Sequence, residues 1–256
     1  MQWASGVNMS LRFHEIAEAR HRILNPFTHE QLMLLGDICS LTSTTRQLDL
    51  CCGKGEMLCV WSERYGIRGI GVDISPVFLK AAHARAAELS CSDRITFVEG
   101  NASTYAIEPG AFDIVSCIGA TWIGGGLAGT VNMLKPGLRS RDSLLLVGEP
   151  YWIDEPSDDT VRASSDGNRA TFASLDGTRE RIESAGLELI EMVLADHHGW
   201  DRYIASQWHT VSDWLRANPD SADAGKLREW IAAGKREHLA HQRRYLGWGV
   251  FVARLP

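Results

Sequence analysis

Between Arg46 and Pro150 the sequence alternates short apolar runs with segments of helical spacing, and this alternation limits the fold more than any other feature. "RQLDLCC", "RGIGVDI", "RITFVEG", "FDIVSCIGA" and "DSLLLVGEP" read as five strands. Residues 55–65 read as a helix ended by Gly66. Ser75-Pro76 opens a second helix that runs to about Leu89, with serine as N-cap and proline at the first helical position. Residues 126–134 read as a third, broken at Lys135-Pro136-Gly137. Strands that alternate with helices make β-α-β units and a parallel sheet. Their near-continuous apolar character fits a sheet covered on both faces. The expected fold class is α/β, with a doubly wound sheet.

The flanks differ. "LRFHEIAEARHRIL", residues 11–24, reads as a helix stopped by Asn25-Pro26. Thr28 is placed to cap "HEQLMLLGDIC", with Gln31 in the capping-box position. After Pro150, residues 153–173 are polar and irregular and read as a surface excursion. "LDGTRERIESAG" reads as a helix, "LELIEMVLAD" as a strand, residues 200–217 and 221–244 as two helices, and "YLGWGVFVARL" as a last strand. The expected division is N-terminal helices over 1–40 forming part of a lid, a core over 41–197, a helical cap inserted over 198–245, and a last core strand over 246–256.

A chain of 256 residues buries most of its unfolded surface without disulfide staples. The six cysteines form no C-x-x-C and no zinc-ligand spacing, so no metal is expected and free thiols in a reducing cytoplasm are. The net charge of −6 argues against a nucleic-acid partner. No apolar run reaches the roughly 18 to 20 residues of a membrane span. The first residues, "MQWASGVNMSLRF", lack the basic head and apolar core of a signal peptide, and Met9 is an alternative start.

Chemistry concentrates in "LDLCCGKGEMLCVW", residues 48–61. In a doubly wound sheet a ligand sits beyond the carboxyl ends of the strands, at the switch point. Gly53 and Gly55 stand there and allow close approach of backbone to ligand. A Walker A loop needs G-x-x-x-x-G-K-[ST], which is absent. A dinucleotide fingerprint needs G-x-G-x-x-G, and the third place holds Leu58.

Residues 46–149 resemble the class I S-adenosylmethionine (SAM)-dependent methyltransferases. Their first motif, roughly [DE]-x-G-x-G-x-G, matches Asp49 to Gly55 except at Cys51, where the family has glycine. The expectation is that Cys51 keeps a negative φ and turns its side chain away from the ligand. Asp73 ends the second strand, where the family's carboxylate accepts both ribose hydroxyls. The resemblance implies that Ile74 lies on the adenine face, that Asn101 and Ala102 meet the adenine edge, and that Cys117 lies near the sulfonium. It also implies a Rossmann-like seven-stranded sheet with an antiparallel last strand. "HRILNPFT", "CIGATWIGGG", "GEPYW" and "EMVLAD…GWDRY" are similar to a bacterial subgroup with helical caps, whose acceptor is unassigned.

Methyl transfer from a sulfonium needs in-line approach and desolvation more than a fixed set of side chains. "GATWIGGG" follows the fourth strand in place of the Asn-Pro-Pro-Tyr type of amino-methylating DNA enzymes, and a Pro-Cys nucleophile is absent. A small-molecule acceptor, an amine or a heterocycle, is therefore expected. Glu149 is the candidate catalytic residue, and Trp122, Tyr151, Trp152, Trp200 and His21 are the candidates for substrate binding. His14, Arg22, His197 and His198 are secondary candidates. Two rival readings stand beside this one: a SAM-binding sensor or scaffold, and a nicotinamide-dependent oxidoreductase.

Overall fold

The computed structural model describes residues 7–256. Residues 1–6, part of the stretch read for a leader and of the 1–40 segment, lie outside the described residues. The helices are α1 (Val7–Ala17), α2 (His29–Ile38), α3 (Glu56–Tyr65), α4 (Pro76–Glu88), α5 (Leu127–Leu134), α6 (Asp158–Ser165), α7 (Leu175–Ser184), α8 (His197–Ala217) and α9 (Ala224–Glu237). The strands are β1 (Arg46–Leu50), β2 (Arg68–Asp73), β3 (Ile95–Glu99), β4 (Ile114–Ile118), β5 (Leu144–Trp152), β6 (Glu188–Leu194) and β7 (Leu246–Arg254).

They form one seven-stranded sheet in the order β3-β2-β1-β4-β5-β7-β6, and β7 runs antiparallel to both β5 and β6. This is the expected α/β, doubly wound sheet with an antiparallel last strand. The order reverses between β1 and β4, so the carboxyl ends of those two strands open the crevice in which such sheets bind ligands.

Local signals place the helices. Thr28 accepts from the Gln31 amide while Gln31 returns a bond to the Thr28 amide, so the capping box of α2 is complete. Ser75 accepts from the Phe78 amide, and Pro76 opens α4. Apolar residues of α2, α3 and α4, with Trp61 fully buried, cover one face of the sheet. Residues of α5 and α7 cover the other, with Leu134 and Ile182 packed on Val147 and Phe251. A third cluster joins α1 to α8 and α9 through Phe13, Ile16, Val211 and Leu227. Among the described residues no helix is long and apolar enough to cross a membrane.

Three expectations are corrected. The first helix stops at Ala17 rather than Leu24. The Lys54 ammonium takes the carbonyls of Glu18 (2.7 Å), Ala19 (3.1 Å) and His21 (2.7 Å), which turns residues 18–27 into a strap laid over the glycine turn. The 153–173 excursion contains α6, capped by Ser157, whose buried face is Thr160, Val161, Ser164 and Ser165. A face made mostly of hydroxyl residues carries little apolar period, which is why the sequence reads as irregular there. The 221–244 helix breaks after Glu237 into a π-helical turn, His238–Gln242.

Candidate active site

The turn after β1 carries three left-handed residues in alternation: Cys51 (φ 58°), Gly53 (φ 55°) and Gly55 (φ 65°). Cys51 therefore does not keep the negative φ expected of it. The chain must reverse from strand to helix within a few residues, and a left-handed residue at 51 begins that reversal. Gly53 is needed for a second reason: a Cβ there would stand 2.7 Å from Leu24 of the strap. Gly55 caps α3 and sits against Phe97, where a Cβ would be 2.5 Å away.

Two buried carboxylates stand behind this turn, and Asp73 bonds it directly. Asp73 accepts from the Gly53 amide (2.8 Å) and from the Ser75 amide (2.9 Å). Burial raises its pKa, and those two amides oppose the rise. Asp49 accepts from the Ser116 hydroxyl at 2.7 Å, and Ser116 in turn accepts from the Gln47 amide at 3.1 Å. Burial pushes Asp49 up to about 7, against the Ser116 bond and with the help of Asp73.

A cavity of about 490 Å³ opens beside the turn. Asp49, Cys51, Gly53, Asp73, Ile74, Asn101 and Ala102 line it, as the sequence places them. Ile74 is half exposed on its wall. The Asn101 carbonyl accepts from the Ser103 amide at 3.0 Å, which leaves its NH₂ to face outward. The group a SAM molecule needs is therefore present: a carboxylate at the end of β2, an apolar wall beside it, and an amide at the end of β3. Gly55 and Cys117 do not line the cavity. Cys117 is fully buried in the core, where the Cys51 thiol beside it and burial hold its own thiol far above the usual range. Lys54, Phe78 and His14 line the cavity as well.

A second cavity of about 640 Å³ adjoins the first. Leu24, Asn25, Gly119 and Trp122 line both, so the two spaces meet between the strap and the end of β4. Glu149 stands on the second wall, 2% exposed. Its Oε2 accepts from the Thr121 hydroxyl at 2.9 Å, and its Oε1 has no partner among the described residues. Burial pushes this carboxyl up to about 7; the Thr121 bond and the charge of Arg181 oppose the rise. Trp200 lines the same wall, and its indole N–H is buried without a partner.

Trp122 and Trp200 are thus brought to the cavity, and three other candidates are not. β5 continues past Pro150, so Tyr151 pairs with Gly247 and Trp152 with Leu246 inside the sheet. Tyr151 packs over Gly247 in the core, and Trp152 packs on Phe172 and donates to the Arg169 carbonyl at 3.2 Å. His21 bonds Glu18 at 2.5 Å and stacks on Tyr203, facing the helices. His14, one candidate of the same pair, lines the first cavity instead. Arg22 reaches that cavity while bonding Glu88 at 3.2 Å. His197 and His198 open α8 and line neither cavity. Asn25, Thr121, Ser164 and Arg181 line the second cavity and were not singled out for it; the "HRILNPFT" and "CIGATWIGGG" stretches were the available signals for the first two.

Comparison with known proteins places this geometry. A methyltransferase-domain family matches residues 48–137. YjhP of Escherichia coli (strain K12) is 39% identical over 242 residues, covering 94% of this chain and 97% of that protein. A SAM-dependent methyltransferase of Geobacter sulfurreducens, solved with S-adenosyl-L-homocysteine, superposes with a TM-score of 0.91 at 42% identity over 96% of this chain and 98% of that one. A SAM-dependent methyltransferase of Thiobacillus denitrificans, also solved with S-adenosyl-L-homocysteine, gives 0.90 at 37% identity over 96% and 98%. A doubly wound sheet, a left-handed glycine turn with Asp73 behind it, and whole-length likeness to such enzymes converge on one conclusion: the chain belongs to the class I SAM-dependent methyltransferases.

Proposed function

We propose that this methyltransferase passes the methyl group of SAM to a small-molecule acceptor, an amine or a flat heterocycle, seated in the second cavity. The observation that carries this reading is Glu149: a carboxylate 2% exposed, with one oxygen unpartnered, on a cavity that meets the cofactor cavity at Asn25 and Gly119. A buried acceptor oxygen without a partner is costly unless a ligand supplies the donor. The N–H or O–H of a nucleophile supplies it, and the same contact orients the nucleophile and takes its proton.

In this reading Asp73 accepts the ribose hydroxyls through lone pairs that its two backbone donors leave open. Ile74 covers the adenine, the Asn101 NH₂ and the Ala102 amide meet its edge, and Cys51 and Gly53 lie under the methionine moiety. Trp122 and Trp200 supply flat apolar surface for the acceptor. α1, the strap, α8 and α9 act as the lid over the core. A net charge of −6 disfavours a nucleic-acid acceptor. The six free cysteines suit the cytoplasm as the working compartment.

The test uses SAM carrying an isotope-labelled methyl group with a metabolite extract. Wild type transfers label to a small molecule, and Glu149→Gln binds SAM but transfers at least about 10²-fold more slowly. Label on protein or nucleic acid alone would sink the small-molecule reading.

A further inference from the structure

Glu149 shares the second cavity with a further set of polar groups. Arg181 lines the second cavity, and its Nη1 and Nη2 donate to the carbonyls of Thr171 (3.2 Å) and Ala170 (2.7 Å). Those partners are neutral, so they orient the guanidinium without balancing its charge. Glu149 is near enough to feel that charge and too far to form an ion pair with it. Ser164 also lines the cavity; it is 5% exposed, and its hydroxyl has no protein partner. The unpartnered indole N–H of Trp200 is the third group. One guanidinium and two donors without protein partners thus share a wall with a single carboxylate that needs a donor. The other charged groups of this wall do not serve: Arg162 and Asp166 are exposed, Arg162 pairs with Asp159, and Glu237 is already engaged.

We propose that the acceptor carries one carboxylate, held by Arg181, Trp200 and Ser164, and a separate N–H or O–H nucleophile that faces Glu149. The substrate class is a flat amino, hydroxy or N-heterocyclic carboxylic acid. This rests on the methyl-transfer reading above and names its substrate. A monoanion fits better than a phosphate dianion for two reasons. The wall offers one guanidinium, and both of its terminal nitrogens already bond carbonyls, so a second negative charge would be buried without a counter-charge. The remaining donors are neutral and suit a carboxylate's two oxygens. Flatness follows from Trp122, Phe172, Trp200, Tyr203 and Trp248 along the same cavity, whose volume of about 640 Å³ admits a ring system with its substituents.

The step balances. The nucleophile's lone pair forms the bond to the methyl carbon, the carbon–sulfur pair returns to sulfur as the thioether of S-adenosylhomocysteine, and the nucleophile's proton passes to Glu149. The substrate carboxylate takes no part and leaves unchanged, so the methylated product is still an acid.

That last point is the test. Full-length protein is incubated with methyl-labelled SAM and a metabolite extract, and the labelled products are separated by anion exchange at alkaline pH, where amines are uncharged and a carboxylate keeps its charge. The expected label elutes with monoanions. Arg181→Gln lowers it at least tenfold while SAM affinity by calorimetry stays unchanged, and Ser164→Ala, which removes only the hydroxyl, lowers it several-fold. Should Arg181→Gln fail to fold, Ser164→Ala decides alone. Label in neutral or cationic products, or full transfer by folded variants, overturns the proposal and leaves methyl transfer standing. No labelled small molecule from protein that binds SAM removes the methyl-transfer reading and this proposal with it.

Discussion

The two cavities meet at Asn25 and Gly119, yet they are made from different kinds of chain. The cofactor cavity takes Cys51 and Gly53, then Asp73, then Asn101, then Gly119 from the turns after β1, β2, β3 and β4, each directly behind an apolar strand. The acceptor cavity takes Thr121, Glu149, Ser164, Arg181 and Trp200 from elements separated by long connections. Their polar groups differ in the same way. Asp49 and Asp73 are buried and already bonded, to Ser116 and to two backbone amides. Glu149, Ser164 and Trp200 each keep a buried atom without a partner. In one cavity the buried carboxylates are bonded by the protein itself; in the other, bonding capacity is left unused among the described residues.

The sharpest way to break this contrast is Glu149→Gln. The substitution keeps shape and removes charge, so turnover should fall by about 10²-fold or more with SAM affinity nearly intact. The carboxyl is pushed up to about 7, and only its ionised form accepts a proton. The wild-type rate should therefore rise with pH and level off above about 7, and the variant should lack that limb. A variant that loses SAM affinity in step with turnover would show the two cavities to be one. Full activity across the pH range would remove Glu149 from the chemistry.

Asp73→Ala probes the other cavity. The carboxylate bonds the turn and, in the proposed reading, the ribose as well, so its loss should weaken SAM binding by about 2–3 kcal/mol, roughly 30- to 150-fold. Unchanged affinity by calorimetry in a folded variant would leave the ribose without its proposed partner.

A stability measurement separates reserved from satisfied groups without any ligand. Burial raises the Glu149 pKa from 4.5 to about 7, so between those values the folded state holds a proton that the unfolded state has lost. Stability contributed by this site is therefore greatest below about 4.5 and is lost as pH rises to about 7. Glu149→Gln does not titrate. Its stability relative to wild type should improve from pH 4 to pH 8 by an amount on the order of 2 kcal/mol, since relaxation takes back part of the full shift. Denaturant unfolding at the two pH values reads the difference directly. A variant that tracks wild type at both would mean that Glu149 is solvated in solution.

The same contrast explains what was legible. Alternation of apolar strands with capped helices specifies the sheet, and spacing behind each strand specifies Asp73, Asn101 and Gly53, because these depend on local chain geometry. The strap was not legible: what ends α1 at Ala17 is Lys54, distant in sequence, taking three carbonyls. Tyr151 and Trp152 were misplaced because the sequence does not say how far β5 extends, and its pairing with Leu246 and Gly247 carries both into the sheet. Arg181 stands on α7, and Ser164 on the hydroxyl-rich α6 that carries little apolar period, and in neither does the sequence mark a side chain that faces a cavity rather than solvent.

The smallest effect belongs to Cys51, where the cofactor turn departs from glycine. The residue has φ 58°, a conformation that costs an L-residue of this kind about 1 kcal/mol or more. Cys51→Gly removes that cost, but glycine loses about 0.5–1 kcal/mol more conformational entropy on folding. The contact with the Cys117 thiol is lost as well. These contributions nearly cancel, so stability should change by less than about 1 kcal/mol and SAM affinity by no more than a few-fold. Cys51→Val sharpens the result. A β-branched residue in the left-handed region is a true outlier, so this variant should unfold at lower denaturant than either wild type or the glycine variant. Equal stability of all three would contradict the left-handed turn. A loss of SAM affinity beyond about tenfold in the glycine variant, roughly 1.4 kcal/mol, would instead give the thiol a positive role in holding the cofactor.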